Sequence, residues 1–335
     1  MIRRLSLSAG SLALALLLFP FTSLTAQQQV PPAPASTAAT PQAPAAPTPT
    51  VAPVFPKPDP ANFTAAFPSQ DVINAFLQAS WGYDPNRVWQ IQAILKTQVP
   101  DISKVVILIG DKSGKQKPGA LQFFALADGK HIIAGDDILP FGAHPYADYR
   151  AELEQKADGP YRGAAAKDLE LVEFADFECP HCKEAQANMD RLAVDFPKAR
   201  IVFQNYPLAR IHPAAVKAAS YGVCVTKLGG STAFFQFASS VFEGQEGLAT
   251  PDGATLTLNS AVTKAGLDPA KVAACASTPE VGAEVVNSVK LAEELNVNQT
   301  PTLMVNGRQV PIGGLPYDTL KQIIEYQAKL DGISQ

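Results

Sequence analysis

The chain has 335 residues, enough for two domains plus some unstructured length. With 47% hydrophobic and 17% charged residues it can bury a core. Its formal charge of -4, from 27 Lys and Arg against 31 Asp and Glu, argues against a nucleic-acid binder, which needs a basic face for phosphates. Four cysteines are too few for a disulfide-framed miniprotein and enough for two pairs.

Arg3 and Arg4 precede an apolar run from Leu12 to Leu18, continued by Phe19, Pro20 and Phe21. Thr22, Ser23 and Ala26 then lead into Gln27. That order is the order of a secretory signal peptide, here residues 1–26. The run is about 15 residues, short of the roughly 20 that a spanning helix needs, so no stable membrane insertion is expected. A retained anchor is the competing reading. Export implies a periplasmic or otherwise extracytoplasmic compartment in which disulfides persist. Residues 27–60 hold 11 of the chain's 29 prolines, with only Lys57 and Asp59 charged. Proline removes backbone donors and fixes φ, so this segment reads as a disordered Pro/Ala-rich linker.

A small α+β domain is expected over residues 61–157. Ser69 can cap a helix carrying Val72, Phe76, Leu77 and Trp81, with Gly82 as its stop. A second helical stripe, Val88, Ile91, Ile94 and Leu95, predicts a helix over Asn86 to Lys96. Strand-like runs follow at Lys104 to Gly110, Leu121 to Leu126 and Lys130 to Ala134, the last two joined by the hairpin signal Asp128-Gly129. His131 and His144 lie far apart in sequence and suggest no ligand pair. The domain reads as a binding or dimerisation module.

The chemistry lies further on. Leu169 to Phe174 form a short apolar strand, and Ala185, Met189, Leu192, Ala193 and Phe196 mark one buried face of a helix. Cys179-Pro180-His181-Cys182 sits where that strand gives way to that helix. Free N–H groups at a helix N-terminus carry a partial positive charge, which favours a thiolate. Pro180 suits the first turn, where its missing donor costs nothing. A charged His181 would stabilise the thiolate further and make the pair an oxidant. Cys179 is expected to attack or be attacked, and Cys182 to resolve the mixed disulfide. Zinc would need two more ligands in register, covalent haem needs histidine where Lys183 stands, and a structural bridge this short closes almost no loop. No metal or other cofactor is called for. Asp176 and Glu178, flanking the motif, read as surface groups that raise the thiol pKa slightly.

Val172 to Cys182 resembles the active-site strand and helix of DsbA-type thiol:disulfide oxidoreductases of the thioredoxin superfamily, as does Val297 to Gly307, with Thr300-Pro301 at its centre. The resemblance covers about half the chain. It implies an α/β thioredoxin-like fold with a helical insertion, preceded by the small α+β domain. The fold would span residues 160–335, with the insertion at about 213–297. It also implies a cis Pro301 beside Cys179, turning the neighbouring backbone out to meet an extended substrate. Glu173, six residues before Cys179, matches a buried acid that could hold or pass the proton of Cys182. Strand alternation leaves a solvated glutamate open. Cys224 and Cys275 fall on two helices of the insertion and are expected to pair in an oxidising compartment; a second redox relay would lack any Cys-x-x-Cys spacing. Phe234, Phe235, Phe237 and Phe242 read as core, with a substrate groove as the competing reading.

The function expected is disulfide formation or exchange in cysteine-containing exported proteins, with a separate redox partner regenerating the active pair. Thr300 and the preceding domain also resemble DsbC- and DsbG-type isomerases, whose N-terminal domains dimerise, so an isomerase and a homodimer stay open. A thioredoxin-like chaperone or binding protein with slow redox turnover is the third reading.

Overall fold

The computed structural model describes residues 55–114 and 117–333. The expected signal peptide and nearly all of the linker lie outside them. The chain divides into two units, the first holding the described residues up to Pro68 together with Asn86–Leu139, the second Ser69–Pro85 together with the chain from Pro140 onward.

The helix expected after Ser69 forms as α1 (Gln70–Trp81), and the Ser69 hydroxyl accepts a hydrogen bond from Val72 N–H at 3.3 Å. It falls in the second unit and not in the small domain to which the sequence assigned it. The reason lies at its C-terminal end. Arg308, almost wholly buried, donates from its guanidinium to the carbonyls of Ala79 (3.0 Å) and Ser80. Carbonyls in the last turn have no partner within the helix, and a cation answers both their hydrogen bonding and the helix dipole.

The first unit is a five-stranded sheet in the order β1 (Arg87–Lys96), β2 (Ile102–Asp111), β3 (Gly119–Leu126), β4 (His131–Ala134) and β5 (Asp137–Pro140). Residues 87–96 are thus a strand and not the predicted helix. A bulge between Ile91 and Ala93 interrupts the β1–β2 register, so Ile91, Ala93 and the adjacent Ile94 are all buried. A strand whose alternation slips by one residue mimics helical spacing. The β3–β4 hairpin forms as expected, with Gly129 at φ +68° in its turn and Asp128 accepting from the N–H groups of Lys130 and His131.

In the second unit, α2 (Ala147–Lys156) precedes a mixed sheet of β6 (Tyr161–Gly163), β7 (Glu170–Ala175), β8 (Arg200–Asn205), β9 (Thr302–Val305) and β10 (Arg308–Pro311), in spatial order β10-β9-β7-β8-β6. β7 runs parallel to β8 and antiparallel to β9. Between β7 and β8 runs α3 (Pro180–Asp195), the crossover that a parallel pair requires. Every residue of β7 is buried, as befits a central strand covered on both faces.

The helical insertion follows β8 as α4 (Ala215–Glu243), α5 (Pro251–Lys264), α6 (Pro269–Ala276) and α7 (Pro279–Glu294), and α8 (Tyr317–Leu330) follows β10. Gly230, at φ +75°, breaks α4 with a kink. Phe234, Phe237 and Phe242 are core side chains packed around Phe177, while Phe235 is only partly buried. Cys224 on α4 is disulfide-bonded to Cys275 on α6. Among the described residues no helix is long and apolar enough to cross a membrane.

Candidate active site

The first half of the site is the turn from β7 into α3. Cys179 is the N-cap of α3, in extended conformation, and Pro180 fills the first helical position. Cys179 N–H donates to the Asp176 carbonyl at 3.1 Å, and the Cys179 carbonyl accepts from the N–H groups of Cys182 (3.1 Å) and Lys183 (3.3 Å). Asp176 N–H in turn points at Cys182 Sγ, 3.4 Å away. The second half comes from the loop before β9, where the Thr300-Pro301 peptide is cis and the Thr300 carbonyl lies 3.6 Å from Cys179 Sγ. Two segments 121 residues apart in sequence therefore meet at one sulfur.

Both sulfurs are free thiols, and they differ sharply. Hydrogen bonding from the Cys182 thiol lowers Cys179 most; burial opposes it, and Thr300 and the N–H groups of Cys182 and His181 add to it. The net result is a pKa of about 5. Cys182, with no exposed surface, is pushed far upward by burial first and by the neighbouring Cys179 second.

Glu173 is buried in the middle of β7, level with Phe203 and Leu303 on the flanking strands. The buried alternative is therefore the one realised. Burial raises its carboxyl to about 7, against the opposing hydrogen bond from Gln186 Nε2 at 2.9 Å. The same amide nitrogen donates to the Cys182 carbonyl at 3.1 Å, so Gln186 links the acid to the inner cysteine's turn. The imidazole of His181 is largely exposed, with Nδ1 3.1 Å from Glu184 Oε2. Glu184 raises the His181 pKa most, and Cys179 adds a smaller push in the same direction.

Asp176 and Glu178 are not the surface groups expected. The Asp176 carboxylate is buried and accepts from Glu178 N–H (2.8 Å), Leu208 N–H (2.8 Å) and His212 Nδ1 (2.8 Å). Glu178 is half-buried and accepts from Ala214 N–H at 2.8 Å. Both tie the redox turn to the segment leading from β8 into α4. Gln186, His212 and Gln245 escaped the sequence reading; a glutamine four residues after Cys182, on the same helix face, was the one available signal. Among the described residues no three His, Cys, Asp or Glu side chains converge as metal ligands.

A central β7–α3–β8 crossover, antiparallel β9 and β10, a dithiol at the helix N-terminus and a cis proline beside it make up a thioredoxin-like fold with a dithiol site. The family model described as thioredoxin matches residues 155–326, just over half of the chain, and the chain belongs to that family. Among solved structures, a thioredoxin-like oxidoreductase from Silicibacter pomeroyi is 24% identical, covering 54% of this chain and 98% of its own at a TM-score of 0.45. Pseudomonas aeruginosa DsbA2 is 26% identical, with coverages of 50% and 93% and a TM-score of 0.43. A curated Na(+)/H(+) antiporter NhaA 3 from Salinispora tropica is 29% identical over 148 residues, which are 44% of this chain and only 22% of the antiporter.

Proposed function

We propose that the protein is an exported thiol:disulfide oxidoreductase that forms or exchanges disulfides in cysteine-containing exported proteins through Cys179 and Cys182. The observation that carries this reading is the asymmetry of the pair: a thiolate favoured at Cys179 and a thiol favoured at Cys182, one helical turn apart. In the oxidised protein, a substrate thiolate attacks Cys179 Sγ and the Cys179–Cys182 bond breaks. Cys182 leaves as a thiolate and takes up a proton, for which Glu173 is the nearby titrating acid. A second substrate thiolate then attacks its partner sulfur in the mixed disulfide and expels Cys179, the better leaving group because its pKa is low. The substrate loses two electrons, the pair gains them, and a separate redox partner must reoxidise it. Stabilising the Cys179 thiolate stabilises the reduced form, which makes the disulfide form an oxidant. The Thr300 carbonyl beside Cys179 offers an acceptor to an extended substrate chain. The signal peptide read in residues 1–26 supports an extracytoplasmic site of action.

Equilibration with glutathione tests the direction, and a strongly oxidising potential is expected. Cys179→Ser is expected to abolish exchange with a dithiol protein, and Cys182→Ser to accumulate mixed disulfides. Retained exchange in Cys179→Ser would remove the site assignment.

A further inference from the structure

The short turn that follows α4 reaches back to the redox pair. Gln245 Nε2 lies 2.8 Å from the Phe177 carbonyl and 2.9 Å from the Cys179 carbonyl. Both partners are acceptors, so the amide spends its two N–H groups on them. The two carbonyls stand on either side of Glu178, in the segment that carries Cys179 into the first turn of α3. Gln245 is half-buried, and the residue after it, Glu246, is exposed and paired with Lys183 on α3 at 2.7 Å.

The chemistry of that contact is specific. A carbonyl oxygen is the negative end of a dipole, and two such ends lie in the short segment that carries the sulfur that must hold a negative charge. Two N–H donors against them offset that negative potential and hold the Cys179 N-cap conformation that presents the helix N–H groups to the sulfur. Asparagine is too short for the same reach, and glutamate carries no N–H donor.

We propose that Gln245 is a positioning residue for Cys179: it clamps the carbonyls of residues 177 and 179 and so sets the thiolate character and the oxidising strength of the pair. This rests on the reading of Cys179 as the reactive thiolate. It also assigns a positioning role to the turn after α4, which in addition packs Leu248 into the core.

The test is Gln245→Met, which keeps the length and volume of the side chain and removes both donors, compared with wild type in the full chain. The readouts are the ultraviolet absorbance of the thiolate against pH, with Cys179→Ser as the blank, and the glutathione equilibrium. The ionisation midpoint of Cys179 is expected to rise by about half a pH unit, a threefold change in ionisation constant. The potential is expected to move toward the reducing side. Gln245→Glu is expected to shift both readouts further, because its carboxylate faces two carbonyl oxygens. Thermal melts of each variant separate this from a packing role. A lowered melting temperature with an unmoved Cys179 midpoint and an unmoved glutathione equilibrium would overturn the proposal. Wild-type Cys179 titrating like a free thiol would instead overturn the reading beneath it. If Gln245→Met does not fold, Gln245→Glu carries the same comparison between acid and neutral pH, since its protonated carboxyl can donate one of the two lost hydrogen bonds.

Discussion

The ionisation of Cys179 couples to stability, and the coupling can be isolated. In a Cys182→Ser protein the hydroxyl replaces the thiol as donor to Cys179, the Cys224–Cys275 bridge is untouched, and no reductant is needed. Its reference is the Cys179→Ser/Cys182→Ser double variant. Cys179 has a folded pKa of about 5 against 9.0 for an ordinary thiol. Between those values the unfolded chain holds a proton that the folded one has released. Stability therefore rises with pH across the window and is lost as pH falls through about 5. At about 1.4 kcal/mol per tenfold change in ionisation, the single-cysteine protein should gain about 4 kcal/mol over its reference between pH 5 and pH 8. Urea unfolding followed by far-ultraviolet circular dichroism reports this, because all α-helices among the described residues lie in the unit that carries the site. A stability difference that stays constant from pH 5 to pH 8 would refute the reasoning, whatever the activity of the protein.

Glu173 couples with the opposite sign. Its carboxyl titrates at about 7 in the fold and at 4.5 in an unfolded chain, so the folded state holds the extra proton and stability falls by about 3 kcal/mol as pH rises through that interval. Glu173→Gln should remove this decline in urea titrations at pH 4.5 and pH 8 and slow resolution of mixed disulfides above pH 7; an unchanged pH profile would show that the acid does not titrate there. Arg308→Ala strands the carbonyls of Ala79 and Ser80 and empties a buried site, for an expected loss of about 3 kcal/mol in urea unfolding. A loss below about 1 kcal/mol would show that α1 is held by other means. Replacing Cys224 and Cys275 together by alanine opens a loop of 51 residues, and the chain-entropy relation puts the loss near 4 kcal/mol while disulfide exchange at 25 °C persists. Loss of exchange in a protein that remains folded would give that bridge a redox role.

The elements that carried local signals were legible, and those that depended on distant partners were not. Cys179 to Cys182 could be placed because hydrophobic spacing changes from strand to helix across the motif, which fixes the helix N-terminus from the residues on either side. Cys224 and Cys275 could be paired because both fall on helices of the insertion that the resemblance implies, in a chain read as exported to an oxidising compartment. Alternation could not orient Glu173, because β7 is covered on both faces and all of its residues are buried. The helix predicted over 86–96 failed at one bulge, where a strand buried two adjacent residues and borrowed the spacing of a helix. The ties that hold the redox turn lay beyond local reasoning. Asp176 meets Leu208 and His212 across 32 and 36 residues, and Gln245 meets Phe177 across 68. Each looks like an ordinary polar residue until the insertion has folded over the turn. A local pattern can therefore locate a reactive sulfur, but the fixed dipoles that set its charge come from segments brought together only by the tertiary fold.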